Sequence, residues 1–180
     1  MHVRPLMDNE IDTYLRLLQA VNAESGVDGL GHSHAYPKAE PYDHDAAVQR
    51  ETLRWASRTT GPGWRRAWGL FDHAELVGHC HLVGGSMSTE LHRVSMGMGI
   101  LRTHHRQGGG TQLLTAVRDW ARNRPNIDWL DLGVFDDNNA AQALYLKHGF
   151  EVVGRTPDRF RVDGQALDDI AMTLHVAVSH

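Results

Sequence analysis

The sequence predicts a single α/β domain built on a mixed, mostly antiparallel central sheet flanked by helices. Three observations carry this. Apolar residues alternate or run unbroken in several short segments, as in strands, and recur at helical spacing in others. Two of the strand-like segments flank Asp72-His73 and a third follows closely, which makes an antiparallel meander in the middle of the chain. A strand, a helix and a strand then follow between Val94 and Phe135, and such a crossover joins parallel strands.

The elements follow in order. Val3 to Leu6 reads as a short strand. Ile11, Tyr14, Leu15, Leu18 and Val21 fall on one helical face, with Asp8, Glu10 and Asp12 in or near the first turn, where acids suit the dipole. Ser25 to Asp43 is rich in Gly, Pro and His without periodicity and reads as a long loop, a candidate lid over a substrate. Asp45 to Ser57 is a helix with Asp43 as its cap. Trp64 to Phe71, Glu75 to Val83 and Leu91 to Leu101 are strands. Leu113, Leu114, Val117, Trp120 and Ala121 form the apolar stripe of a helix that ends before Pro125. Trp129 to Phe135 is apolar on both faces and belongs at the centre of the sheet. Asn138 to His148 is a helix closed by Gly149. Phe150 to Gly154 and Leu167 to Val176, with a turn at Gly164, complete the sheet.

The chain has 180 residues, 41% of them apolar, enough for one domain with a real core. Its net charge of −4 lacks the basic excess that nucleic-acid or membrane-surface binding needs, so neither partner is expected. Cys80 is the only cysteine, which excludes an intramolecular disulfide and fits a reducing compartment. No apolar run has signal-peptide or transmembrane length, so a cytoplasmic location is expected. The thirteen histidines show no HExxH or cysteine-rich spacing, and no metal site is expected.

The most distinctive stretch is His104-His105-Arg106-Gln107-Gly108-Gly109-Gly110-Thr111 at the strand-to-helix junction. Glycines there let the backbone approach a ligand, and the first helical turn offers free N–H groups and the positive end of the dipole. A Walker A loop would place Gly-Lys-Ser/Thr at this end, and a dinucleotide fingerprint would place a third glycine at Leu113; neither is present. On the loop alone, a capping turn and a phosphate cradle are equally good readings.

The second motif is Asn138-Asn139-Ala140-Ala141-Gln142-Ala143-Leu144-Tyr145-Leu146-Lys147-His148-Gly149-Phe150. With the glycine loop before it, it makes the chain resemble the GNAT acetyltransferase superfamily. The segment Arg161 to Met172 is similar to the end of small-metabolite members of the amino-acid and phosphinothricin type. His105 is a departure, since the family has Arg or Gln there.

The resemblance implies transfer of an acetyl group from the cosubstrate acetyl-CoA to a small-molecule amine by direct attack in a ternary complex. It implies a sheet splayed between its fourth and fifth strands. It places the pantetheine arm along Met98, Ile100 and Leu101, and the pyrophosphate on Arg106, Gln107, Gly108, Gly109, Gly110 and Thr111. Asn138 and Ala141 would border the same arm, Asn138 also being suited to cap its helix. Tyr145 would protonate the departing thiolate. For the base, Glu90 and His92 share a face at the start of the fourth strand, and His79 and His81 on the adjacent strand are further candidates. A homodimer is a family expectation. Two other readings stay open: a non-catalytic acyl-CoA-binding or sensor domain, and an acetyltransferase acting on a protein N-terminus or lysine.

Overall fold

Alternation along the strands sorts their side chains onto two faces, and each face is covered by its own helices. A computed structural model describes residues 1–177. Strands β1 (His2–Pro5), β2 (Arg65–Asp72), β3 (Glu75–Gly84), β4 (Arg93–Ile100), β5 (Trp129–Phe135), β6 (Glu151–Val162) and β7 (Gln165–His175) form one sheet of order β1-β2-β3-β4-β5-β7-β6. Helices α1 (Ile11–Ala23) and α2 (His44–Ala56) precede β2, α3 (Gly109–Arg122) joins β4 to β5, and α4 (Asn139–Lys147) joins β5 to β6. The fold class is the one the sequence predicts. Among the described residues no helix is long and apolar enough to cross a membrane.

On one face, Trp68, Leu70, Cys80, Leu82, Val94 and Met96 pack against Leu113, Leu114, Val117 and Ala121 of α3 and against Tyr145 and Phe150. On the other, Ala67 and Phe71 pack against Tyr14 and Leu15 of α1 and Ala47 and Trp55 of α2. Leu113 and Leu70 are fully buried. Truncating either to alanine is expected to cost about 2–5 kcal/mol.

The pairing of β4 with β5 positions the site. Among the described residues it is the only parallel pair, and it holds for three residues: Arg93 with Trp129, Val94 with Leu130 and Ser95 with Asp131. Beyond Ser95 the strands part. Met96 to Ile100 stay on β3, while Leu132 to Phe135 follow β7. This is the expected splay between the fourth and fifth strands, and it leaves one edge of β4 open.

Two boundaries differ most from the sequence reading. β6 continues to Val162, well past Gly154. It is an edge strand, mostly exposed and interrupted by irregular pairing between Thr156 and Phe160, so its residues need not alternate in polarity and Pro157 is tolerated. α3 begins at Gly109, four residues before the apolar stripe, because its first turn is made by the glycine loop itself.

Candidate active site

The opening between β4 and β5 continues into a cleft of about 880 Å³. Its walls are Met98 to Ile100 of β4, Gly108 to Thr111 at the start of α3, Asn138 to Ala141 with Leu144 and Tyr145 of α4, and Gly29 to Gly31 of the long loop.

The glycine run is three residues with three reasons. Gly108 has φ +83°, a left-handed conformation that costs glycine little. A Cβ on Gly109 would strike Leu70, so that vacancy is filled by the core. A Cβ on Gly110 would lie 2.7 Å from Leu144 Cδ2 on α4. Two of the vacancies thus also hold α3 against its neighbours. What faces the cleft is backbone. The first helical bond runs from Gln112 N–H to the Gly108 carbonyl, so the N–H groups of Gly109, Gly110 and Thr111 precede the ladder. They sit at the positive end of the helix dipole and fit a pyrophosphate.

Around them, Arg106 lines the cleft, in a left-handed conformation with φ +59° and no ion-pair partner among the described residues. His105, the departure from the family motif, donates from Nε2 to the Ile100 carbonyl at 2.8 Å and ties the loop back to β4. Gln107 does not line the cleft; its amide donates to the Thr103 carbonyl at 3.1 Å. Leu101 also points into the scaffold, packed on the core with its N–H bonded to the Val77 carbonyl. Met98, Ile100, Gly108, Gly109, Gly110, Thr111, Asn138 and Ala141 all border the cleft.

Tyr145 is buried, packs against Phe150 with ring centroids 5.6 Å apart, and lines the cleft. Burial pushes its phenol upward, so it stays protonated at all working pH values. Asn138 caps α4 by accepting from the Ala141 N–H at 3.2 Å, and it donates through Nδ2 to the His32 carbonyl at 2.9 Å. That second bond belongs to a lock the sequence did not reveal. Asp137 accepts from both the N–H and the Nδ1 of His32, the latter at 2.7 Å. Gly31 passes so close to Asn138 that a Cβ would lie 2.5 Å from its Cα. The candidate lid is thus pinned at its centre. The only signal in the sequence was a histidine and a glycine inside an aperiodic stretch.

The structure does not bring Glu90 and His92 to this cleft. Glu90 accepts from the N–H and Oγ of Ser86 and the N–H of Met87, which holds its carboxyl below the usual range and closes a 3₁₀ turn at Ser88–Glu90. It lines a separate cavity of about 400 Å³ with Arg93, Ser95 and Asp131. His92 is exposed at the far end of β4, its carbonyl accepting from Asp128 and Trp129.

His79 and His81 do not line the cleft; they face α1 on the other side of the sheet. Their rings stack with centroids 5.6 Å apart against Gly99 and Gly97 of β4. His81 Nδ1 is 3.1 Å from the Tyr14 hydroxyl. His79 is fully buried with Nδ1 unpartnered, and burial together with the Arg65 charge lowers its pKa to about 3. Among the described residues no group of three or more His, Cys, Asp or Glu side chains could hold a metal ion.

A model of the acetyltransferase (GNAT) family matches residues 32–150. Among solved structures, a putative acetyltransferase from Salmonella typhimurium with acetyl-CoA is 18% identical at a TM-score of 0.80, over 100% of this chain and 95% of that one. A ribosomal-protein-alanine N-acetyltransferase from Brucella melitensis is 17% identical at a TM-score of 0.79, over 97% and 99%. A putative phosphinothricin N-acetyltransferase is 16% identical at a TM-score of 0.77, over 98% of each chain. At these identities the likeness is one of fold. No curated protein matches the chain in sequence.

Proposed function

The chain belongs to the acetyltransferase (GNAT) family, and from that premise we propose that it transfers an acetyl group from acetyl-CoA to the primary amine of a small metabolite by direct attack in a ternary complex. One observation carries the reading: the gap where β4 leaves β5 runs from the free N–H groups that open α3 to the Tyr145 phenol on α4.

Each end of the gap has a task. The N–H groups of Gly109, Gly110 and Thr111, with Arg106, hold the pyrophosphate. The open edge of β4 at Met98 to Ile100 pairs with the amide-bearing arm as an added strand does, and a spare N–H there polarises the thioester oxygen. The neutral amine attacks the carbonyl carbon, the C–N bond forms, and the C–S bond breaks as Tyr145 protonates the leaving sulfur. In water a phenol near ~10 and a thiol near ~8.5 are close enough for this transfer. Desolvation raises both acids, so burial of Tyr145 does not remove the match.

The pinned loop favours a small acceptor. Gly29 to Gly31 wall one side of the cleft and are held there by the His32–Asp137 pair. Neighbours of this fold include a putative phosphinothricin N-acetyltransferase and a spermidine N-acetyltransferase chimera. A ribosomal-protein-alanine N-acetyltransferase among them keeps a protein N-terminus as the second reading. Thiol release from acetyl-CoA, measured with amino acids, polyamines and alanine-ending peptides, separates the readings. Saturable turnover with a small amine is expected. Turnover with peptides alone favours the protein-directed reading. Acetyl-CoA binding without turnover favours a non-catalytic acyl-CoA domain.

A further inference from the structure

The proposed transfer supplies an acid, Tyr145, on the α3 side of the sheet. Residues 80, 82, 94 and 96 also face that side, so residues 79 and 81 of β3 and 95, 97 and 99 of β4 face the opposite one, toward α1 and α2. On β4 that second face offers Ser95, Gly97 and Gly99, none of which can take a proton near neutral pH. The side chain over it comes from β3. A Cβ on Gly97 would lie 2.6 Å from both Cε1 and Nε2 of His81, so the ring edge rests on the backbone of the strand just past the point where β4 leaves β5.

We infer that His81 receives the acceptor's proton: its Nε2, seated over Gly97 and steered by the Tyr14 hydroxyl, takes the proton released as the amine attacks. The inference rests on the proposed acetyl transfer. In the tautomer required, Nδ1–H donates to the Tyr14 oxygen and the Nε2 lone pair is free. The amine forms the C–N bond and gives its proton to Nε2. The C–S bond then breaks, and Tyr145 gives its proton to sulfur. His81 returns its proton to solvent and Tyr145 regains one, so one proton leaves and one enters per turnover. Base and acid act from opposite faces of the sheet.

The other candidates are less suited. His79 is fully buried, whereas His81 is half-buried and has a partner that fixes its ring. Asp131 accepts two bonds from Arg93 and one from Thr173. The groups facing His81 are Tyr14 of α1, Glu51 and Arg54 of α2, Arg65 of β2 and His79 of β3, with Glu51 paired to Arg65 at 3.1 Å. Burial and the Arg65 charge keep the imidazole neutral at rest and disfavour its charged form, so it holds the proton only in passing before solvent takes it.

The test is the pH profile of kcat/KM for an amine that the wild type acetylates, in His81→Gln and Tyr14→Phe. His81→Gln is expected to lower it about 100-fold at neutral pH, with recovery toward high pH where hydroxide takes the proton in its place, and with acetyl-CoA affinity unchanged. Tyr14→Phe keeps the ring and is expected to lower the rate about tenfold and move the same limb. A His81→Gln rate and profile like the wild type overturn this inference and leave the transfer reading standing. A wild type that acetylates nothing overturns both. If His81→Gln does not fold, Tyr14→Phe decides: a moved limb supports the inference and an unmoved one overturns it.

Discussion

His105 Nε2 donates to the backbone carbonyl of Ile100 at 2.8 Å, closing the loop that links the end of β4 to the start of α3. The residue that departs from the family pattern therefore serves the cradle indirectly, by fixing where the first turn of α3 begins. An exposed bond of this kind is worth about 1 kcal/mol. His105→Ala is expected to weaken acetyl-CoA binding about fivefold while kcat stays within about twofold. His105→Gln, which keeps a donor, should recover most of it. Titration of acetyl-CoA against each variant reads the difference.

The long loop is held by Asp137. Asp137→Ala leaves the His32 N–H and Nδ1 without their acceptor in a half-buried site, at about 1–3 kcal/mol. Limited proteolysis is expected to cut residues 24–43 faster in the variant, and acetyl-CoA to slow the cutting, because Gly29 to Gly31 wall the cleft. Equal cutting rates in variant and wild type would show that the pair does not hold the loop.

Acid should unfold the protein partly through His79. Its pKa falls from an ordinary 6.5 to about 3 in the folded chain, from burial and then Arg65. The unfolded state therefore takes up a proton that the folded state refuses. The stability is fully present above 6.5 and is lost as pH falls toward 3, at about 1.4 kcal/mol per pH unit. His81 is shifted in the same direction and adds to the slope. Urea unfolding at several pH values should show a slope smaller by about one proton in His79→Gln. An unchanged slope would mean that His79 is not the group refusing the proton.

The glycines of the loop should separate by mechanism. Gly108→Ala places a Cβ in a left-handed conformation at φ +83° and is expected to cost about 1–2 kcal/mol. Gly109→Ala meets the fully buried Leu70 and is expected to cost about 1–3 kcal/mol by overpacking. The losses from Gly109→Ala and Leu70→Ala should be less than additive, because the second removes the atoms that the new Cβ strikes, whereas those from Gly108→Ala and Leu70→Ala should simply add. Urea midpoints of the two double variants decide this.

Periodicity made the sheet, the hairpin at Asp72-His73 and four helices legible, because buried faces impose a repeat on sequence. The edge strand β6 was only half legible, since residues 155 to 161 are largely exposed and obey no repeat. In the site, the backbone cradle and Tyr145 were legible from two local motifs. The His32–Asp137 lock and the Tyr14–His81 contact were not, because each joins residues far apart in the chain. Glu90 and His92 looked suitable as bases from spacing alone. Spacing does not say that Glu90 closes its own turn or that His92 lies at the end of β4 away from the gap.

The central claim is that acetyl transfer occurs in the gap between β4 and β5 with Tyr145 as the acid. The kcat of Tyr145→Phe, measured by thiol release alongside acetyl-CoA affinity, tests it most directly. The phenyl ring keeps the packing on Phe150 and removes only the hydroxyl. A fall in kcat of about 100-fold or more with unchanged acetyl-CoA affinity is the expected result. A kcat equal to that of the wild type would contradict the claim.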